Sequence, residues 1–93
     1  MQAGYQKIEI VVDRRDGHVL IREENVQSTP EDAVRSAGFK NPILVEVKAD
    51  KFKGVADVPT AKLDMFRNSG SGVGCTIKHL TPYGAVSYRM PKP

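Results

Sequence analysis

Residues 28–48 read Ser28-Thr-Pro-Glu-Asp-Ala-Val-Arg-Ser-Ala-Gly38 and then Phe39-Lys-Asn-Pro-Ile-Leu-Val-Glu-Val-Lys48, and the two halves follow different periods. In the first half Thr29 is placed to cap a helix. Pro30 suits the first helical position, where its missing N–H would have had no intrahelical acceptor. Glu31 and Asp32 then fall in the first turn, where the helix dipole favours negative charge. Ala33, Val34 and Ala37 make a short apolar stripe, and Gly38 suits the left-handed position just past the end. A helix of about eight or nine residues needs a sheet to pack on. The second half supplies one. Asn41-Pro42 punctuates, and Ile43-Leu-Val-Glu-Val-Lys48 is rich in β-branched residues, which predicts a strand over 43–48 with Ile43, Val45 and Val47 pointing inward by period two.

Working outward, Lys7-Ile-Glu-Ile-Val-Val12 alternates, with Ile8, Ile10 and Val12 on one face and Lys7 and Glu9 on the other, and reads as a half-buried strand. Asp13-Arg-Arg-Asp-Gly17 follows as a turn, and His18–Glu23 as the return strand of a hairpin. Residues 49–59 are ambiguous: Phe52 and Val55 suit a short edge strand, which Gly54 and Pro59 would limit. Thr60–Arg67 reads as a second short helix, with Thr60 as cap and Leu63 and Phe66 on one face. Cys75–Leu80 and Ala85–Met90 flank Thr81-Pro-Tyr-Gly84, whose proline and glycine positions match a type I turn. Pro91 and Pro93 end that hairpin. The order is therefore β-β-α-β-(β)-α-β-β. Hairpins require antiparallel pairing, so the expected fold is α+β: a small antiparallel sheet of about four to six strands with one or two short helices on one face, in one domain over residues 1–93.

Composition narrows the function classes. The chain carries a net charge of +3 at pH 7, distributed unevenly: residues 1–34 carry −3 and residues 35–93 carry +6. No carboxylate side chain follows Asp64. A single cysteine, Cys75, excludes an intrachain disulfide, and no apolar run approaches the roughly 18–20 residues that cross a bilayer. A soluble, cytoplasmic protein without a membrane partner is expected.

No catalytic or cofactor motif appears. Gly70-Ser-Gly-Val-Gly74 lacks the Gly-Lys-Ser/Thr ending of a phosphate loop and precedes a strand rather than a helix. It reads as a helix C-cap, as a connector, or as backbone that lets a partner approach closely. Cys75 and His79, four apart on a strand, would lie about 13 Å from each other and share neither a metal nor a hydrogen bond. One cysteine and two histidines offer no zinc-ligand spacing. Neither an enzyme nor a metal protein is expected.

Basic residues remain. Lys48, Lys51 and Lys53 cluster in one segment; Arg67 and the glycines Gly70, Gly72 and Gly74 sit in the acid-free part; Lys78 and Arg89 alternate onto the polar face of the last hairpin with Thr76 and Ser87. Tyr83, at the turn, is placed to stack on a base or anchor a protein contact. The expectation is a non-enzymatic binding module that docks nucleic acid or a nucleoprotein complex through these ten residues. The alternative is a protein–protein inhibitor or adaptor of the small phage or mobile-element type, blocking a host nucleic-acid-processing complex. An acidic patch of Glu9, Asp13, Asp16, Glu23 and Glu24 would favour that alternative. An exposed sheet edge would permit a homodimer in either case.

Overall fold

The alternation of Lys7–Val12 makes the central strand of a five-stranded antiparallel sheet. The structure, a computed structural model, describes residues 4–16, 28–68 and 74–91. The elements are β1 (Tyr5–Asp13), α1 (Pro30–Ser36), β2 (Lys40–Lys48), β3 (Lys51–Pro59), α2 (Thr60–Asn68), β4 (Thr76–Thr81) and β5 (Gly84–Arg89). A single 3-10 turn, Arg14–Asp16, ends β1. The spatial order is β2-β3-β1-β5-β4. The expected α+β class, with an antiparallel sheet and two short helices, is what the chain adopts.

β1 runs its whole length beside β3, from Tyr5 opposite Pro59 to Asp13 opposite Lys51. On its other side it meets β5 only over Val11–Asp13, opposite Ser87–Ala85. The expected return strand His18–Glu23 lies outside the described residues; the described neighbours of β1 are β3 and β5. Arg14 does not sit at a free hairpin tip. Its guanidinium donates to the Ser28 carbonyl (2.8 Å) and hydroxyl (2.7 Å), and its N–H to the Asp50 carbonyl (2.9 Å).

Residues 51–59 form a nine-residue interior strand, not the short edge strand expected. Gly54 does not weaken it, because β2 presses so closely that a Cβ there would collide with the Ile43 carbonyl oxygen and stand 2.8 Å from Leu44 Cα. Pro59 closes the strand instead of interrupting it.

One face of the sheet carries Ile8, Ile10 and Val12 of β1, Ala56 and Val58 of β3, Val86 and Tyr88 of β5, and Ile77 of β4, all buried. Ala33 and Val34 of α1 and Leu63 of α2 cap it, with Phe39 and Met90 filling the remaining space in the same cluster. Both helices thus cover one face, as their short lengths require. In α1 the Asp32 carboxylate accepts from the Thr29 N–H at 2.8 Å, and Gly38 takes φ 93° just past the end. α2 starts at Thr60 itself, whose N–H donates to the Gly4 carbonyl (2.9 Å), so Thr60 is the first helical residue and not an outside cap.

β2 reverses the expected phase. Ile43, Val45 and Val47 are 63, 64 and 51% exposed, and Leu44 is the residue packed toward the core. The cause is a β-bulge: Lys40 pairs with Asp57, yet Ile43 pairs with Val55, so one extra residue intervenes at Asn41-Pro42. Asn41 accommodates it with φ 51°, and its side-chain amide donates to Asp57 at 2.8 Å. A one-residue insertion moves every following side chain to the other face.

Candidate nucleic-acid interface

Period two places the odd residues of β1, β3, β4's even residues and β5's odd residues on the face turned away from both helices. Pairing then aligns them in rows across the sheet. One row runs Val45, Lys53, Val11, Ser87, Lys78. The next contains Lys48, Lys51, Asp13, Ala85 and Leu80. On the other side, Val55 stands opposite both Ile43 and Glu9, and Arg89 stands opposite Thr76.

Five of the expected contact residues therefore share one surface. Lys48, Lys53, Lys78 and Arg89 are exposed on it and Lys51 is half-buried. The last hairpin carries the expected polar face, Thr76 opposing Arg89 and Lys78 opposing Ser87, on strands that each lie one residue closer to the turn than expected. Lys7, opposite Asp57, belongs to the same face, and so does Lys40, whose ammonium lies 5.1 Å from the Tyr5 ring centroid. Lys7 was legible from alternation alone. Lys40 and Tyr5 were not, because the strands extend beyond the segments whose pattern announced them.

Where β1 and β5 part company, beyond Val11 and Ser87, the surface opens into a groove of about 620 Å³. Lys7, Lys53 and Arg89 line it, with Gln6, Thr76 and Ser87 as hydrogen-bonding groups and Glu9 as its one carboxylate. Of the acidic patch considered for an inhibitor, the two described members, Glu9 and Asp13, lie on this face among lysines, Asp13 with an ion pair to Arg15 at 3.6 Å. Glu23, Glu24 and the Asp16 side chain lie outside the described residues.

Three expected contacts are elsewhere or differently employed. Arg67 is at the end of α2, its guanidinium donating to Asp64 (2.9 Å) and to the Pro91 carbonyl (3.3 Å), so it ties the helix to the chain end. Tyr83 does not project as a stacking platform; it is half-buried against the core, in a turn where the Thr81 hydroxyl accepts the Tyr83 N–H (3.1 Å) and donates to the Gly84 carbonyl (2.8 Å). Gly74 extends the hairpin by donating to the Met90 carbonyl (3.1 Å). Gly70 and Gly72 lie outside the described residues.

The two residues that resemble a reactive pair in sequence are separated by the fold. Cys75 is exposed just before β4, whereas His79 packs on the helix side, stacked on Tyr88 (5.8 Å between centroids) and edge-on to Phe39 and Phe66 (5.6 Å each). His79 Nε2 lies 3.4 Å from the Tyr88 hydroxyl. Burial, and secondarily the Lys62 ammonium, holds the imidazole below its ordinary pKa; burial raises Tyr88. Among the described residues no group of three His, Cys, Asp or Glu could hold a metal, and no helix is long and apolar enough to cross a membrane.

The His79 environment makes a pH prediction. A histidine whose folded pKa is depressed binds a proton more readily when unfolded, so stability is lost as pH falls through the unfolded value of about 6.5 and the loss levels off below the folded pKa. Urea midpoints measured at pH 7.5 and 5.0 are expected to fall for the wild type and to fall less for His79→Gln. An equal fall in both proteins would remove His79 as the cause.

No protein-family model, no curated protein and no solved structure matches this chain.

Proposed function

We propose that the chain is a non-enzymatic module that docks nucleic acid, or the nucleic acid of a nucleoprotein complex, on the sheet face opposite the helices. The observation that carries this reading is the convergence of Lys48, Lys51, Lys53, Lys78 and Arg89, from four strands and up to forty-one positions apart in sequence, on that face. Cations on a rigid sheet are preorganised for phosphates and lose little freedom on binding. Arg67 and Tyr83, engaged in holding the fold, do not belong to the contact set.

Binding of fluorescent DNA and RNA, followed by anisotropy across a salt series, tests it. Five phosphate contacts would give a log–log slope near about −4.5 on duplex DNA, on the order of a several-hundredfold loss between about 50 and 200 mM salt. Lys53→Glu combined with Lys78→Glu is expected to weaken binding at least about tenfold while far-UV circular dichroism stays unchanged, both side chains being exposed. Absence of binding at micromolar protein, or a salt-independent affinity, sinks the proposal. A nuclease-insensitive capture of a single host protein would replace it with the inhibitor reading.

A further inference from the structure

The strand whose phase is reversed also forms one end of the described sheet. Among the described residues β2 pairs with β3 on one side only, and its Ile43, Val45 and Val47 are the most exposed run of aliphatic side chains. A small domain with a limited core ordinarily hides such residues. Edge strands that are not meant to pair are blunted by charge, proline or bulges. β2 carries these devices, but only at its ends: Lys40, Asn41 and Pro42 with one bulge before Ile43, and the second register shift with Lys48 after Glu46. Between them lies a short apolar segment left able to pair, too short to feed open-ended stacking.

We propose that β2 pairs antiparallel with β2 of a second copy about a two-fold axis at Val45. The register follows from charge and face. A two-fold axis perpendicular to the sheet keeps both helix layers on one side, and directly opposed residues must share a face, so only registers that pair residues of like parity are allowed. Centring on Leu44 places Lys40 against Lys48 of the other copy, and centring on Glu46 places Glu46 against itself; like charges directly opposed are destabilising. Centring on Val45 opposes Val45 to Val45, Ile43 to Val47 and Leu44 to Glu46. No like charges meet, and all six exposed aliphatic side chains form one stripe. Stacking the two open faces against each other instead would bring their lysines together, which disfavours it.

The dimer goes beyond the nucleic-acid reading and does not rest on it. It would nonetheless set the two basic faces side by side on one surface, with the Lys53 positions three strand spacings apart, roughly 14 Å.

Sedimentation velocity and light scattering of the full chain without nucleic acid, from about 1 to 200 µM, test the pairing. A concentration-dependent dimer is expected, weakened at least about tenfold by Val45→Glu, which opposes two carboxylates at the axis. Leu80→Glu, at the exposed Leu80 of the opposite end strand, should leave it unchanged. In a Cys75→Ser background, Val45→Cys should oxidise to a covalent dimer and Leu44→Cys should not, since only the former faces itself. Thermal melts of each variant verify folding. A wild type monomeric at 200 µM, or a dimer indifferent to Val45→Glu, overturns the proposal, and so does efficient cross-linking of Leu44→Cys. The nucleic-acid reading would be left standing by any of these.

Discussion

Replacing Gly54 with valine is expected to cost on the order of 3 kcal/mol or more, a large fraction of the roughly 5–14 kcal/mol that holds a domain of this size together. The cost has one physical source. A Cβ on Gly54 would collide with the Ile43 carbonyl oxygen and sit 2.8 Å from Leu44 Cα and 2.9 Å from the Ile43 carbonyl carbon. These are backbone atoms, so no side-chain rotation relieves the overlap and β2 must move off β3. Gly54→Ala carries the same first atom and should already lose on the order of 1–3 kcal/mol, although alanine is otherwise no worse than glycine in a strand. Urea denaturation followed by circular dichroism measures both. An alanine variant as stable as the wild type would mean that β2 yields at no cost. Because β2 carries Ile43, Val45 and Val47, the same variants should also weaken the proposed dimer.

Phe39→Ala is expected to destabilise by about 3–5 kcal/mol. Phe39 is 2% exposed and joins the two layers at the point where α1 gives way to β2. Its ring meets His79 and Tyr88 edge-on, each at 5.6 Å, and the Lys62 ammonium lies 5.8 Å from its centroid while donating to the Ala37 carbonyl at 3.3 Å. Removing the ring deletes buried apolar volume from the close-packed cluster between the sheet and the helices. It also removes the edge-to-face contacts, each worth about 0.5–1.5 kcal/mol beyond burial. Thermal and urea unfolding should show the loss in midpoint with little change in slope. Phe39→Leu keeps most of the volume and should lose less. A Phe39→Ala protein within 1 kcal/mol of the wild type would show that this layer repacks freely.

These two positions differ in how visible they were. Thr29-Pro30 and the acidic first turn announced α1 because capping is satisfied within four residues. The last hairpin is readable in its pairing face, since a short turn between alternating strands sets the register and puts Lys78 with Arg89, although each strand lies one residue closer to the turn than the pattern suggests. β3 is ambiguous in sequence because glycine and proline usually limit strands; here Gly54 serves a close approach and Pro59 is the last residue. Arg67 and Tyr83 read in sequence as contact residues, but in the fold the Arg67 guanidinium is shared between Asp64 and Pro91 and the Tyr83 ring lies on the core. Both depend on residues from distant parts of the chain.

β2 shows the division most directly. Alternation identified a strand over 43–48, because hydrophobic period reports local geometry. Which face pointed inward was decided elsewhere. Phe39 points into the core, the bulge at Asn41-Pro42 inserts one residue, and pairing with β3 then commits Ile43 and Val45 to the side opposite Val58 and Ala56. The sequence by itself determined both helices, the strands β1 and β2, the antiparallel pairing within the terminal hairpin and the excess of positive charge, since each arises from neighbours within a few positions. The tertiary structure alone decided the strand order, the phase of β2 and the gathering of Lys48, Lys51 and Lys53 with Lys78 and Arg89 on one face. Those depend on hydrogen-bond registers between strands tens of residues apart, where an offset of one residue exchanges the two sides of the sheet.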